Sequence, residues 1–170
     1  SSDQNKWFTT SAQSKDNPYA DYYIWRDPVD WHEPNNWGGF FGGSAWKYVA
    51  SRDQYYLHSF AVEQPDLNWD NPQLRQAVYD MMNFWVNKGV DGFRLDVINL
   101  ISKPDSFADG QPEAGEPYAA IGGIIANGPH LHEYLQEMNQ QVFAGHQLMT
   151  VGETPGATVA DAKQLAKVRN

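Results

Sequence analysis

Two short stretches hold residues whose types and spacing could do chemistry. The first is Gly-Val-Asp-Gly-Phe-Arg-Leu-Asp, from Gly89 to Asp96, and the second is Thr-Val-Gly-Glu, from Thr150 to Glu153. Val90, Phe93 and Leu95 favour a strand. Side chains alternate along a strand, so Gly92, Arg94 and Asp96 share one face while Phe93 and Leu95 share the other. An Arg two residues before an Asp, on one face of a largely apolar strand expected to be buried, must be paired or hydrogen-bonded. On this stretch alone a structural ion pair accounts for the pattern as well as a reactive carboxylate does. Glu153, at the end of another strand candidate, shifts the balance. Two convergent carboxylates suit glycoside hydrolysis, in which one attacks the anomeric carbon and the other gives a proton to the leaving oxygen. Arg94 would hold Asp96 ionised and oriented as a nucleophile. Glu153 has no cation near it in sequence, so burial would keep its proton on and suit it to act as the acid. Any α/β barrel has carboxylates at strand ends, so the pattern does not by itself single out this chemistry.

The elements that must position these groups follow from punctuation and periodicity. Residues 1 to about 69 are expected to be loop-rich, with breakers at Asn17-Pro18, Asp27-Pro28, Glu33-Pro34, Gly38-Gly39, Gly42-Gly43 and Gln64-Pro65. Short strands are predicted at Tyr22 to Trp25, Trp46 to Val49 and Gln54 to Phe60. Asn71-Pro72 starts a helix, with Leu74, Val78, Met81 and Trp85 on one apolar face and Gly89 as its stop. The chain then enters the strand at Val90. Residues 102 to 128 are again predicted as loop. A helix is expected from about His130 to Val142, with Leu131, Leu135, Met138 and Val142 on one face and Gly145 ending it. A strand at Leu148 to Val151 and a helix from Asp161 to Val168 complete the pattern. Helix, strand, helix, strand, helix is the order of parallel strands with helical crossovers, an α/β fold. Carboxylates ending adjacent parallel strands converge at the mouth where barrel enzymes place their chemistry.

Composition removes several other classes. The chain has 170 residues, a net charge of -9 and no cysteine. It offers no basic patch to neutralise phosphates, so nucleic acid is not an expected partner. No apolar run approaches the ~20 residues that span a bilayer. Disulfides and thiolate metal sites are excluded. Seven Trp and nine Tyr, many of them in the first 60 residues, suit the faces of sugars, or equally the packing of a loop-rich subdomain. His130 and His132, followed by Glu133, lie two apart and so do not share a helix face, which discounts a metal site. A chain that starts Ser-Ser-Asp, without Met or a signal peptide, is expected to be processed or a piece of something longer. The expected compartment is the cytoplasm, with a leader upstream left open.

Gly-Val-Asp-Gly-Phe-Arg-Leu-Asp-Val-Ile-Asn resembles the nucleophile region of glycoside hydrolase family 13, the α-amylase family. Thr150-Val151-Gly152-Glu153 is similar to its acid/base region. Gln64-Pro65-Asp66-Leu67-Asn68 resembles the segment near the end of its domain B, in the spelling of the oligo-1,6-glucosidase subfamily. Ser1 to Gln4, Asp21 to Asp27 and Gly43 to Trp46 are similar to the same subfamily. The resemblance runs over essentially the whole chain, in order. It implies an internal piece of a (β/α)8 TIM barrel, around the fourth and fifth strands, with domain B at 1–69 and partial barrel at 70–170. It implies Asp96 as nucleophile, Glu153 as general acid/base and Arg94 as the partner of the nucleophile. It places Phe41 and Phe60 at the wall of a glucose pocket and Gln64 beside it. Val97 matches the residue type of members preferring α-1,6 links, where α-1,4-preferring relatives tend to have Thr. Thr154-Pro155-Gly156 would lie toward the aglycone side.

The implied activity is retaining hydrolysis of short α-glucosides, mostly α-1,6-linked, with oligosaccharide as the partner. No organic cofactor is expected; the calcium loop of some relatives would lie upstream. The family's pocket histidine after its third strand, and the Asn-His-Asp motif carrying its third carboxylate, have no match here, so the chain alone is expected to be inactive and poorly folded. Trehalose-6-phosphate hydrolase, α-1,4-glucosidase and sucrose isomerase share most of these motifs. A catalytically silent relative, such as the ectodomain of a transporter heavy chain, would not need Asp96, Arg94 and Glu153. A plain carbohydrate-binding module would explain the aromatics but not the two carboxylates.

Overall fold

The structure, a computed structural model, describes residues 1–167. It divides into two compact units, one formed by 1–71 and 106–124, the other by 72–105 and 125 onwards. The segment 106–124, which follows the first catalytic-type strand in sequence, thus belongs with the N-terminal residues.

The first unit contains a helix that the sequence reading lacked. α1 spans Lys6–Ser11, only six residues. Its Trp, Phe and two Thr are poor helix formers, so periodicity gave no signal. The helix forms because the Asn5 side chain accepts the Trp7 N–H at 2.8 Å and because Phe8 is buried. Strands β1 (Trp25–Arg26), β3 (Trp46–Val49) and β4 (Gln54–Leu57) make an antiparallel sheet in the order β1-β4-β3. The strand expected at Tyr22 to Trp25 therefore lies later, and the one expected at Gln54 to Phe60 stops at Leu57. It stops because Asp66 folds the next turn back: its carboxylate accepts the Ser59 N–H at 3.0 Å and the Ser59 hydroxyl at 2.5 Å. Phe8, Tyr23, Trp25 and Tyr56 form the core of this unit, with Phe8 stacked on Trp25 at 5.9 Å and edge-on to Tyr23 and Tyr56 at 5.0 Å. Burying each ring contributes roughly 1.5–3 kcal/mol. The buried Arg52 lies 4.2 Å over the Trp25 ring and donates to the carbonyls of Ser11, Ser14 and Ala20. One side chain thus satisfies loop carbonyls that no ladder reaches.

Residues 102–128, expected to be loop, hold β6 (Ala119–Ala120) and α3 (Gly122–Ile125). β6 pairs in parallel with β2 (Trp37–Gly38). Two-residue strands carry no alternation, so neither was legible. Side chains fix this return instead: the Asn36 amide bonds both N–H and C=O of Gly110, and the Trp37 indole donates to the Ala108 carbonyl.

In the second unit α2 spans Pro72–Asn87, starting where expected. Its buried face is Leu74, Val78, Tyr79 and Met82 rather than the predicted set. Met81 and Trp85 are about half exposed. The face rotates because Arg75 and Tyr79 both reach Glu137, at 2.5 and 2.8 Å, pinning α2 against α4 (Leu131–Met138). Burial, then the bond to Glu137, pushes the Tyr79 hydroxyl well above its ordinary range. α4 buries Leu131, Leu135 and Met138 as predicted. It widens into a π-helical turn at Asn139–Phe143, closed by the Ala144 N–H on the Asn139 carbonyl, with Val142 buried and Gly145 at φ 84° ending it.

The two catalytic-type strands are β5 (Gly92–Leu95) and β7 (Met149–Gly152), each within the stretches predicted or one residue beyond. They pair in parallel with Gly92 opposite Met149, Phe93 opposite Thr150, Arg94 opposite Val151 and Leu95 opposite Gly152. α5 (Val159–Leu165) starts before the expected Asp161, because Thr158 and Asp161 form a reciprocal capping box. Val168, the predicted end of that helix, lies outside the described residues.

β5 and β7 approach closely only because Gly92 lacks a side chain; a Cβ there would sit 1.9 Å from the Met149 carbonyl oxygen. In the whole protein, Gly92→Ala is expected to cost more than about 3 kcal/mol. Gly123→Ala, where an added Cβ meets nothing within 4 Å, should be neutral or stabilise by up to about 1 kcal/mol. Denaturant unfolding of both variants checks this, and a Gly92→Ala protein as stable as the parent would mean the register is wrong.

Candidate active site

The register of β5 and β7 places the charged groups. Arg94 faces Val151, so Asp96 and Glu153, each two residues further on, lie on the same face just past the last pair. The Arg94 guanidinium uses both ends of its fork, Nη1 donating to Asp96 Oδ1 and Nη2 to Glu153 Oε2. A planar fork can hold two carboxylates at fixed mutual orientation, as a Lys ammonium cannot. Backbone bonds extend the ladder past the strands: the Glu153 N–H donates to the Leu95 carbonyl and the Ile98 N–H to the Glu153 carbonyl, both at 3.0 Å.

In this piece of the barrel the Arg94, Asp96 and Glu153 side chains are 57%, 71% and 48% exposed. Among the described residues β5 pairs with β7 alone, so its other edge has no strand partner in this chain. Glu153 has no cation close to it in sequence. The parallel pairing gives it Arg94, a partner 59 residues away that no local reading could show.

Val97 follows Asp96 with φ 41°, ψ 43°, a left-handed conformation unusual for a β-branched residue. It turns the chain out of β5 into a 3₁₀ turn at Ile98–Leu100, whose three residues are buried. Thr154, Pro155 and Gly156 form the turn after Glu153, with Gly156 at φ 71°.

The remaining site residues lie in the first unit. Phe60 stacks on Phe40 at 4.8 Å and meets Phe41 edge-on at 5.8 Å. Phe41 is 73% exposed, which leaves its ring available to a ligand. The Gln64 side chain accepts the Ala61 N–H at 3.3 Å, and Asp66 holds Ser59, so both brace the turn that carries Phe60. Sequence reasoning named Phe41, Phe60 and Gln64 but not Phe40, whose ring packs on Phe60; the Phe40-Phe41 doublet between two Gly pairs was the available signal. His130 is paired with Glu133 at 3.1 Å and Asp105 at 3.7 Å.

The Alpha-amylase family model, described as the alpha amylase catalytic domain, matches residues 1–170. The chain is 56% identical over 157 residues to the oligo-1,6-glucosidase of Parageobacillus thermoglucosidasius, covering 92% of this chain and 28% of that protein. Its structure resembles the trehalose-6-phosphate hydrolase of Bacillus licheniformis with a TM-score of 0.87 and 46% identity, over 95% of this chain and 28% of that one. It resembles a trehalulose synthase variant, solved with its substrate sucrose, with a TM-score of 0.86 and 50% identity, over 93% and 28% of the two chains. The chain thus spans just over a quarter of the length of the proteins it matches. The parallel β5–β7 pair and its helices are a piece of the barrel that these enzymes share. With the family model covering every residue, this chain belongs to the α-amylase family of glycoside hydrolases.

Proposed function

We propose that the protein containing this chain is a retaining α-glucosidase that releases glucose from short oligosaccharides, α-1,6-linked ones above all. The observation that carries this reading is the parallel register that sets Asp96 and Glu153 at the ends of adjacent strands, on one face with Arg94. Asp96 attacks the anomeric carbon as the glycosidic bond breaks. Glu153 gives its proton to the departing oxygen, then takes one from the water that releases glucose from Asp96. Arg94 orients Asp96 for the attack. Phe41 and Phe60 offer rings to a sugar face, and Gln64 braces the turn behind them. This chemistry calls for no organic cofactor, and the cytoplasm suits short oligosaccharides as substrate. Similarity to an oligo-1,6-glucosidase, higher than to the trehalose-6-phosphate hydrolase, supports the α-1,6 preference.

In the whole protein, Asp96→Asn should bring turnover below about one part in ten thousand. Glu153→Gln should lower kcat/KM on isomaltose by about 10²–10⁴-fold, and much less on 4-nitrophenyl α-glucoside, whose leaving group needs little protonation. Equal losses on both substrates would remove Glu153 from the acid role, and near-normal turnover in the Asn variant would remove Asp96 as nucleophile.

Val97 carries the linkage preference in this reading. An α-1,6 link has an extra methylene that a β-branched apolar wall favours, whereas Thr offers a hydroxyl to the hydroxyls of a closer α-1,4-linked sugar. Val and Thr are nearly isosteric and both β-branched, so the left-handed backbone at Val97 is equally strained in either. The comparison therefore isolates the hydroxyl. One hydrogen bond is worth about 0.5–1.5 kcal/mol net. Val97→Thr should lower the ratio of kcat/KM on isomaltose to that on maltose by several-fold to about tenfold. An unchanged ratio in a folded, active variant would place linkage preference elsewhere.

A further inference from the structure

Three residues after Asp96, Asn99 is fully buried. Its Nδ2 donates to the Pro155 carbonyl at 2.9 Å and to Asn127 Oδ1 at 3.2 Å, while its own carbonyl accepts the Asn127 N–H at 2.8 Å. Its Oδ1 is buried and meets no donor among the described residues. An orphaned buried oxygen is destabilising, and Leu would fill similar space without one. What the amide supplies that Leu cannot is the Nδ2 donor.

That donor acts two residues from Glu153. The Glu153 N–H and C=O are both held, by Leu95 and Ile98. Beyond them the Thr154 carbonyl accepts the Ala157 N–H at 3.2 Å within its own turn, and the Pro155 carbonyl accepts the Asn99 amide, which ties that turn to the one after Asp96. Only Thr154 lies between Glu153 and Pro155, and a residue before proline is confined to extended backbone. With both ends held and the middle confined, the chain leaves Glu153 in one direction, which sets where its Cα–Cβ bond points.

We propose that Asn99 is a positioning residue for Glu153, tying the turn after the acid/base to the turn after the nucleophile. The inference rests on the reading of Glu153 as acid/base. Asn99 touches no substrate; it acts through the Pro155 carbonyl on the aim of the Glu153 carboxyl.

The test uses the whole protein and its Asn99→Ala and Asn99→Asp variants, the latter matching Asn in shape but carrying no donor when ionised. Pro155→Gly, at an exposed position, frees Thr154 while leaving the carbonyl in place and answers the question if the Asn99 variants fail to fold. Asn83→Ala is the control, since it removes an amide bond from α2 to the Gln141 carbonyl in the π-helical turn, away from Glu153. Kinetics on isomaltose and on 4-nitrophenyl α-glucoside are read alongside the melting temperature. A misaimed acid should lower kcat/KM, which reports the first step alone, by about ten- to a hundredfold on isomaltose and by less than about threefold on the activated substrate. Pro155→Gly should show the same selectivity at smaller size, and Asn83→Ala should show none. Equal losses on both substrates, or full isomaltose turnover in a folded Asn99 or Pro155 variant, overturn the proposal. If the unaltered protein hydrolyses neither glucoside, the functional reading falls and the inference with it. If Glu153→Gln shows the selective loss and the Asn99 and Pro155 variants do not, only the inference falls.

Discussion

Every charged group at the site depends on the register of two four-residue parallel strands. Side chains alternate with a period of two, so a slip of one residue would turn Glu153 to the opposite face from Arg94 and Asp96. Gly92 opposite Met149 sets that register sterically, because its backbone is the only kind that fits so near the Met149 carbonyl. Bonds from Glu153 to Leu95 and from Ile98 to Glu153 carry the pairing past the strand ends, to the residues that matter. The placement of Arg94, Asp96 and Glu153 is therefore a property of backbone pairing first and of side-chain contacts second.

The first unit solves a different problem with little secondary structure. Its loops leave many carbonyls without ladder partners, and polar side chains take them up. Arg52 serves three, Asn36 bonds both backbone groups of Gly110, and the Asn35 amide reaches the Phe107 carbonyl at 3.0 Å while its oxygen accepts the Trp46 indole N–H at 2.8 Å. Rings then fill the space between these bonds, with Trp37, Trp46 and Phe107 packed together. The abundance of Trp and Tyr that first suggested sugar binding is in part explained by packing of this kind. Phe41, exposed at the edge of the Phe40–Phe60 stack, is where the sugar-facing reading retains its force.

What was legible in the sequence was what local pattern encodes. Pro72 opened a long helix, Gly145 closed another, and Asp96 and Glu153 stood at strand ends because Gly, Pro and apolar periodicity mark such boundaries. What was not legible depends on partners far along the chain. The buried face of α2 is rotated from the simple apolar stripe because Arg75 and Tyr79 share Glu137 on another helix. β2 and β6 are too short for periodicity and exist through pairing across some eighty residues. Arg94 was read as the partner of Asp96 alone, since Glu153 reaches it only through the parallel register.

The left-handed turn at Val97 shows how these levels meet. A β-branched residue at φ 41° costs on the order of 1–3 kcal/mol, and Gly or Asn would carry the turn with less strain. The turn brings the Ile98 N–H onto the Glu153 carbonyl and buries Ile98, Asn99 and Leu100 directly behind the charged end of β5. Burying Ile98 and Leu100 contributes roughly 1.5–3 kcal/mol each, which is enough to hold the strained residue in place. The strain is therefore supported by packing on the far side of the turn from Asp96. A backbone fixed in this way lets the residue next to Asp96 present a stiff, apolar, β-branched side chain at a position where the chain's conformation would otherwise favour glycine.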